Sequence, residues 1–140
     1  MRVLGIDFGA KRIGLARSDA TGTLASPWKT VEGGPPRAAA ARLAALASGL
    51  AGEDDGLEAI VVGLPRRLDG SDNDQTPIVR AFAAELARVS SLPVILQDER
   101  LSSHEAESRL ALGERDWRRR KARLDAASAA VILQDYLDEK

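Results

Sequence analysis

The uninterrupted apolar run Ala59-Ile60-Val61-Val62, closed by Gly63, constrains the fold of this chain more than any other feature. A strand with one wet face alternates polar and apolar residues. A run that is apolar at every position belongs to a strand buried on both faces, at the centre of a sheet. Helical spacing flanks it. Residues 37–50 carry Leu43, Leu46 and Leu50 on one side, after the break Gly33-Gly34-Pro35-Pro36 and before the stop Glu53-Asp54-Asp55-Gly56. Residues 77–89 carry Ile78, Phe82, Leu86 and Val89 at i, i+4, i+8 and i+11. Val94-Ile95-Leu96 then predicts a further buried strand. Strands and helices in alternation imply parallel pairing through crossover helices.

The first third reads differently. Residues 2–8 form an apolar strand, with Val3, Leu4, Ile6 and Phe8, that Asp7 interrupts. Gly9-Ala10-Lys11-Arg12 is turn material, residues 13–17 a second strand, Ser18-Asp19-Ala20-Thr21-Gly22 a turn, and residues 24–31 a weaker third strand. This is an antiparallel meander. At the other end, Ser102 or Ser103 can cap a helix running to about Leu112. Residues 115–123 are strongly basic, and residues 124–137 form a last helix with Ala127, Val131 and Leu137 on roughly one side. The order β-β-β-α-β-α-β-α-α, without repeat or linker, predicts one α/β domain over residues 1–140.

Composition removes whole classes of chemistry. With no cysteine, disulfide scaffolds, thiol nucleophiles and cysteine-held metals are excluded, and a single histidine disfavours a His-rich metal site or a Ser-His-Asp triad. Twenty basic residues against 21 acidic ones give a net charge of −1, so the chain is no polycation, although a local basic patch is compatible with it. No apolar stretch reaches the roughly 18 residues of a membrane span. The first residues lack the apolar core of a secretion signal. The expectation is a cytoplasmic protein with no membrane partner.

The informative residues are acids where burial should forbid them. Asp7 lies inside an apolar strand, so it either has a partner or holds a cation. Asp98 and Glu99 follow a buried strand directly, at the kind of strand end where α/β sites assemble. Asp125 opens the last helix beside the basic run. Each has a plain alternative: an Arg partner or turn cap for Asp7, the strand's exit to solvent for Asp98 and Glu99, a helix cap for Asp125. Together, in a chain without cysteine, they suggest carboxylates holding Mg²⁺ or Mn²⁺, hard ions that take oxygen ligands. Two such ions about 4 Å apart can activate a water and stabilise the leaving oxygen of a phosphodiester. The basic residues suit that substrate. Arg115, Arg118, Arg119, Arg120, Lys121 and Arg123 crowd around Trp117, and Arg66 and Arg67 follow the Gly63-Leu64-Pro65 turn. Guanidinium forks match phosphate, and an aromatic ring can stack on a base. A solvated helix face, a packed Trp117 and plain loop charge are the ordinary readings of the same residues. His104 reads as an exposed residue near the site. The segment Asp69-Gly70-Ser71-Asp72-Asn73-Asp74 lacks the bidentate Glu of an EF-hand loop and reads as a turn.

These residues, in this order, resemble the YqgF/RuvX family of Holliday-junction-resolvase-like and pre-16S rRNA nuclease proteins. The match runs through Gly5-Ile6-Asp7-Phe8-Gly9-Ala10-Lys11-Arg12-Ile13-Gly14-Leu15-Ala16-Arg17-Ser18-Asp19, then Gly63-Leu64-Pro65 with Asp69-Gly70-Ser71. It continues through Asp98-Glu99-Arg100-Leu101-Ser102-Ser103 and Asp125-Ala126-Ala127-Ser128-Ala129-Ala130-Val131-Ile132-Leu133-Gln134. The family usually has threonine at one or both serines, and the change keeps a hydroxyl. Four ordered motifs span essentially the whole chain.

The resemblance implies an RNase H-like fold with a mixed five-stranded sheet. It implies Asp7, Glu99 and Asp125 as catalytic, metal-holding carboxylates, with Asp98 adjacent and able to help. It makes Lys11, Arg12, Arg66, Arg67, Arg100, Arg118, Arg119, Arg120, Lys121 and Arg123 the nucleic-acid-binding set. The activity implied is a two-metal nuclease acting on RNA, at the 5′ end of a 16S rRNA precursor. A structured-DNA resolvase is the close alternative, and single-stranded DNA is a further substrate class. A resolvase cuts two symmetric strands and should therefore dimerise. Two other classes stand further off. Actin-like ATPases and sugar kinases open with a similar Asp-x-Gly hairpin but need two lobes, and a ribosome-assembly factor would carry the acids without using them.

Overall fold

The computed structural model describes residues 1–99 and 117–139, with side chains for 1–99 and 124–139. Within them the chain forms β1 (Arg2–Asp7), β2 (Arg12–Ser18), β3 (Ala25–Glu32), α1 (Pro36–Ala51), β4 (Leu57–Leu64), α2 (Thr76–Ser90), β5 (Val94–Asp98) and α3 (Trp117–Glu139). The strands lie in the order β3-β2-β1-β4-β5. The meander is antiparallel, and β4 and β5 add in parallel.

Strand alternation divides the core into two. On one face Leu4, Ile6, Ile13, Leu15, Ile60 and Val62 pack beneath α1 and α2, around Leu43, Phe82 and Leu86. On the other, Val3, Ala16, Ala59 and Val61 pack beneath Ala129, Ile132, Leu133 and Leu137 of α3. Buried on both sides, β4 is the central strand that its apolar run predicts. Gln134 pins α3 to the meander. Its side-chain oxygen accepts the Ala25 amide at 2.9 Å and its amide donates to the Thr23 carbonyl at 3.0 Å.

Four expectations need correction. Val94-Ile95-Leu96 is not a fully buried strand: Leu96 is 40% exposed, because β5 is the sheet's edge. On α2, Phe82 and Leu86 are buried, but Ile78 and Val89 are 39% and 38% exposed. The buried stripe is Val79-Phe82-Ala83-Leu86, and two overlapping stripes share their central pair, so spacing alone picked the neighbouring one. The last helix reaches back to Trp117 rather than beginning at residue 124, because arginine and lysine are good helix formers and the basic run continues the helix. Asp125 therefore lies two turns inside α3 and does not open it. On α3, Val131 and Leu137 are buried, whereas Ala127 is only half-buried and Ala126, Ala129, Ile132 and Leu133 do the packing.

The helix following Ser102 or Ser103, together with His104, Arg100 and Arg115, lies outside the described residues. So do the side chains of Trp117, Arg118, Arg119, Arg120, Lys121 and Arg123, whose backbone is part of α3. No helix among the described residues is long and apolar enough to cross a membrane.

Candidate active site

Asp7 ends β1 on the α3 face, because it alternates with Val3 and Gly5. It pairs in register with Gly14 of β2. A side chain at Gly14 would fall on the Asp125 carbonyl oxygen, so glycine there lets the α3 backbone rest on the sheet beside Asp7. The same holds along the face. A Cβ at Gly5 would lie 2.8 Å from Leu133 Cβ, and one at Gly63 would lie 2.5 Å from Ile132 Cδ1 and 2.9 Å from Glu99 Oε2. Three neighbouring strands each give up a side chain where α3 crosses, and at Gly63 the vacated volume receives the Glu99 carboxylate. Glu99 continues β5 by one residue, its amide donating to the Leu64 carbonyl at 3.3 Å.

Asp7 and Glu99 therefore meet. Burial raises both carboxyls. Asp7 is pushed from 3.8 to about 7 by desolvation first and by the Asp125 charge second, while its hydrogen bond with Glu99 acts in the opposite direction. Glu99 is pushed from 4.5 to about 9 by desolvation, then by the Asp7 charge and the hydrogen bond with Asp7, and last by Asp98. Burial and mutual repulsion together disfavour the state in which both carboxyls of the pair are charged. Glu99 Oε2 is buried and has no hydrogen-bond partner among the described residues. A buried carboxylate oxygen left in that state is costly unless something cationic meets it.

Asp125 stands close enough to raise Asp7 electrostatically, yet its own carboxylate takes a hydrogen bond from Arg12 Nε at 2.9 Å. Among the described residues no three acids are gathered closely enough to enclose a metal ion as they stand. The donor set nevertheless fits a hard divalent cation: two paired carboxylates, one bearing a buried oxygen without a partner, and a third acid next to them. Asp98 is not part of this set. Val94 packs in the α1–α2 core and Ile95 in the α3 core, so alternation turns Asp98 to the face opposite Glu99. There it lies 4.0 Å from Arg66 Nη1.

The basic residues are dispersed around this end of the sheet. Lys11 is exposed in the β1–β2 turn. Arg66 also lies 4.0 Å from Asp72, across the isolated bridge that closes the loop after β4. Arg67 is exposed in that loop. Asp69 Oδ1 accepts the Ser71 amide at 2.9 Å and its hydroxyl at 2.6 Å, forming the turn read from the sequence. The loop is tied to α2 by the buried Thr76, whose hydroxyl donates to the Pro65 carbonyl at 2.5 Å. Sequence reasoning missed two features. One is the glycine floor under α3, which glycines inside strands do signal. The other is Trp28, flanked by Arg17 and Lys29 at 4.8 Å and 4.5 Å from its ring centre.

A mixed sheet in this order, with helices on both faces, is an RNase H-like fold. Solved resolvases share it. A fowlpox virus resolvase bound to Holliday junction DNA superposes with a TM-score of 0.61 at 11% identity, over 99% of this chain and 98% of that one. Thermus thermophilus RuvC in complex with a Holliday junction gives 0.55 at 19% identity, over 99% and 95%. The family model described as "RuvX: Holliday junction resolvase" matches residues 1–139, and the chain belongs to that family. Curated relatives are similar along their whole length. A protein of Anaeromyxobacter sp. (strain Fw109-5) is 46% identical over 138 residues, 99% of this chain and 97% of that one. One of Maridesulfovibrio salexigens is 43% identical over 137 residues, 98% of each. Both carry the name "Putative pre-16S rRNA nuclease".

Proposed function

We propose that this chain is a metal-dependent nuclease that hydrolyses phosphodiester bonds in RNA and matures the 5′ end of a 16S rRNA precursor. The observation that carries the reading is the Asp7–Glu99 pair, with its buried, partnerless Oε2, set beside Asp125 on a family fold. Asp7, Glu99 and Asp125 would hold Mg²⁺ or Mn²⁺ for a two-metal hydrolysis. Bound there, such ions activate a water and stabilise the leaving oxygen of the phosphodiester. The protein's own part is to fix the acids through the glycine floor and to exclude water from their buried side. Arg66, Arg67 and Lys11 grip the backbone phosphates, as do Arg100 and the helix-borne Arg118, Arg119, Arg120, Lys121 and Arg123.

The family description favours a second reading, a Holliday-junction resolvase, in which two copies would cut symmetric strands. One panel decides between them: a precursor-rRNA 5′ fragment, single-stranded RNA, single-stranded DNA and a four-way junction, each with Mg²⁺, Mn²⁺ or EDTA. Metal-dependent cutting of the rRNA fragment in preference to the rest supports the first reading. Preference for the junction, by a dimer, replaces it with the second. Cutting of none of them refutes both.

A further inference from the structure

The ion pair between Arg12 and Asp125 joins residues 113 positions apart and sits at the edge of the acidic site. Neither partner is fully buried: the side chains are 31% and 25% exposed. Gly14, the register partner of Asp7, lets the Asp125 backbone rest on the sheet. The Asp125 carboxylate has two neighbours there: it accepts the Arg12 hydrogen bond, and its charge acts on Asp7. Arg12 opens β2 at the same end of the sheet as Asp7, next to the exposed Lys11.

We propose that Arg12 is a positioning residue that competes with the divalent cation for Asp125. Without the cation it draws Asp125 off the other two acids. Once the cation takes Asp125, the guanidinium is released at the mouth of the site to meet a phosphate of the strand. The arrangement answers two electrostatic problems. Three carboxylates together repel one another, and Arg12 neutralises one of them until a cation does so. A cation-binding step that also liberates an arginine couples metal and nucleic acid: each ligand favours the state the other needs. The proposal rests on reading Asp7, Glu99 and Asp125 as the cation site.

The test is calorimetric titration of Mn²⁺ into the full-length wild type, Arg12→Gln, Arg12→Lys, Asp125→Asn and the Arg12→Gln/Asp125→Asn double variant, after thermal unfolding in EDTA has shown each to be folded. Competition predicts that Arg12→Gln binds Mn²⁺ more tightly than wild type, by up to roughly fivefold, the strength of a partly exposed ion pair. Arg12→Lys should stay near wild type, and Arg12→Gln should change nothing in the Asp125→Asn background. An arginine that merely supports the fold, or that aims Asp125 at the cation, gives equal or weaker Mn²⁺ binding in Arg12→Gln and overturns the proposal. So does an equal gain in the Asp125→Asn background, which would mark a general effect of removing a charge. Failure of the wild type and every variant to bind Mn²⁺ overturns the cation-site reading itself, and this proposal with it.

Discussion

Replacing Asp7 by Asn should make the metal-free protein more stable. Asp7 titrates near 3.8 in an unfolded chain and at about 7 in the fold. A folded-state value above the unfolded one means that the fold disfavours the charged carboxylate. The penalty is absent below about pH 4, grows as pH rises, and levels off above the folded value. Glu99, raised from 4.5 to about 9, extends the same trend upward. Three units for Asp7 correspond to about 4 kcal/mol at 1.36 kcal/mol per unit, an upper bound that relaxation and water entry reduce towards about 2 kcal/mol. Asparagine keeps the shape, removes the charge, and offers an amide donor to Glu99. For a domain of this length the gain corresponds to a rise of roughly 6–14 °C in Tm. Thermal unfolding followed by circular dichroism in EDTA, at pH 5 and pH 8, measures it. The wild type should lose stability from pH 5 to pH 8, and Asp7→Asn should lose less and melt higher at pH 8. Adding Mn²⁺ should raise the wild-type Tm and leave the variant nearly unchanged. An Asp7→Asn protein that melts at or below the wild type at pH 8 in EDTA would show that the Asp7 environment is not the strained one described.

Other expectations follow from packing and charge. Gly14→Ala puts a methyl group on the Asp125 carbonyl oxygen, so α3 must lift. A loss of about 2–4 kcal/mol in urea unfolding is expected, with weaker Mn²⁺ binding. Ile132→Ala, in the fully buried contact above Gly63, should cost about 2–4 kcal/mol by the same measurement. Neutralising Arg118, Arg119 and Arg120 together should weaken RNA binding and flatten its salt dependence, by a slope of about 2 if each meets one phosphate of a single strand. An unchanged slope would remove that helix from the nucleic-acid surface.

Much of the architecture is legible locally. The apolar run at 59–63 marks the central strand because burial on both faces leaves no polar position, and the turns at 9–12 and 18–22 mark the meander because each is a short-range signal. What is not local is not legible. That β5 is an edge depends on the strand order of the whole sheet, so three apolar residues in a row suggest full burial although Leu96 is 40% exposed. The start of α3 was hidden because a dense basic run and a helix are compatible, and the acid at 125 resembled a cap. Asp7 was conspicuous as a charge in an apolar strand, and its pairing with Glu99 follows from two strand ends on one sheet. The separation of Asp98 from Glu99 is equally physical: successive strand residues face opposite ways. The Arg12–Asp125 bond has no sequence signature. It exists only because the last helix crosses the sheet where Gly14 admits it.

The central claim, that Asp7 and Glu99 form the working centre of a nuclease, is tested most directly by cleavage of the preferred panel substrate in Mn²⁺ by wild type, Asp7→Asn and Glu99→Gln. Each variant is first shown to be folded and to bind the strand. Metal-dependent cutting by the wild type is expected, with a loss of at least a hundredfold in both variants and strand binding largely retained. Cutting by either variant at the wild-type rate would contradict the claim.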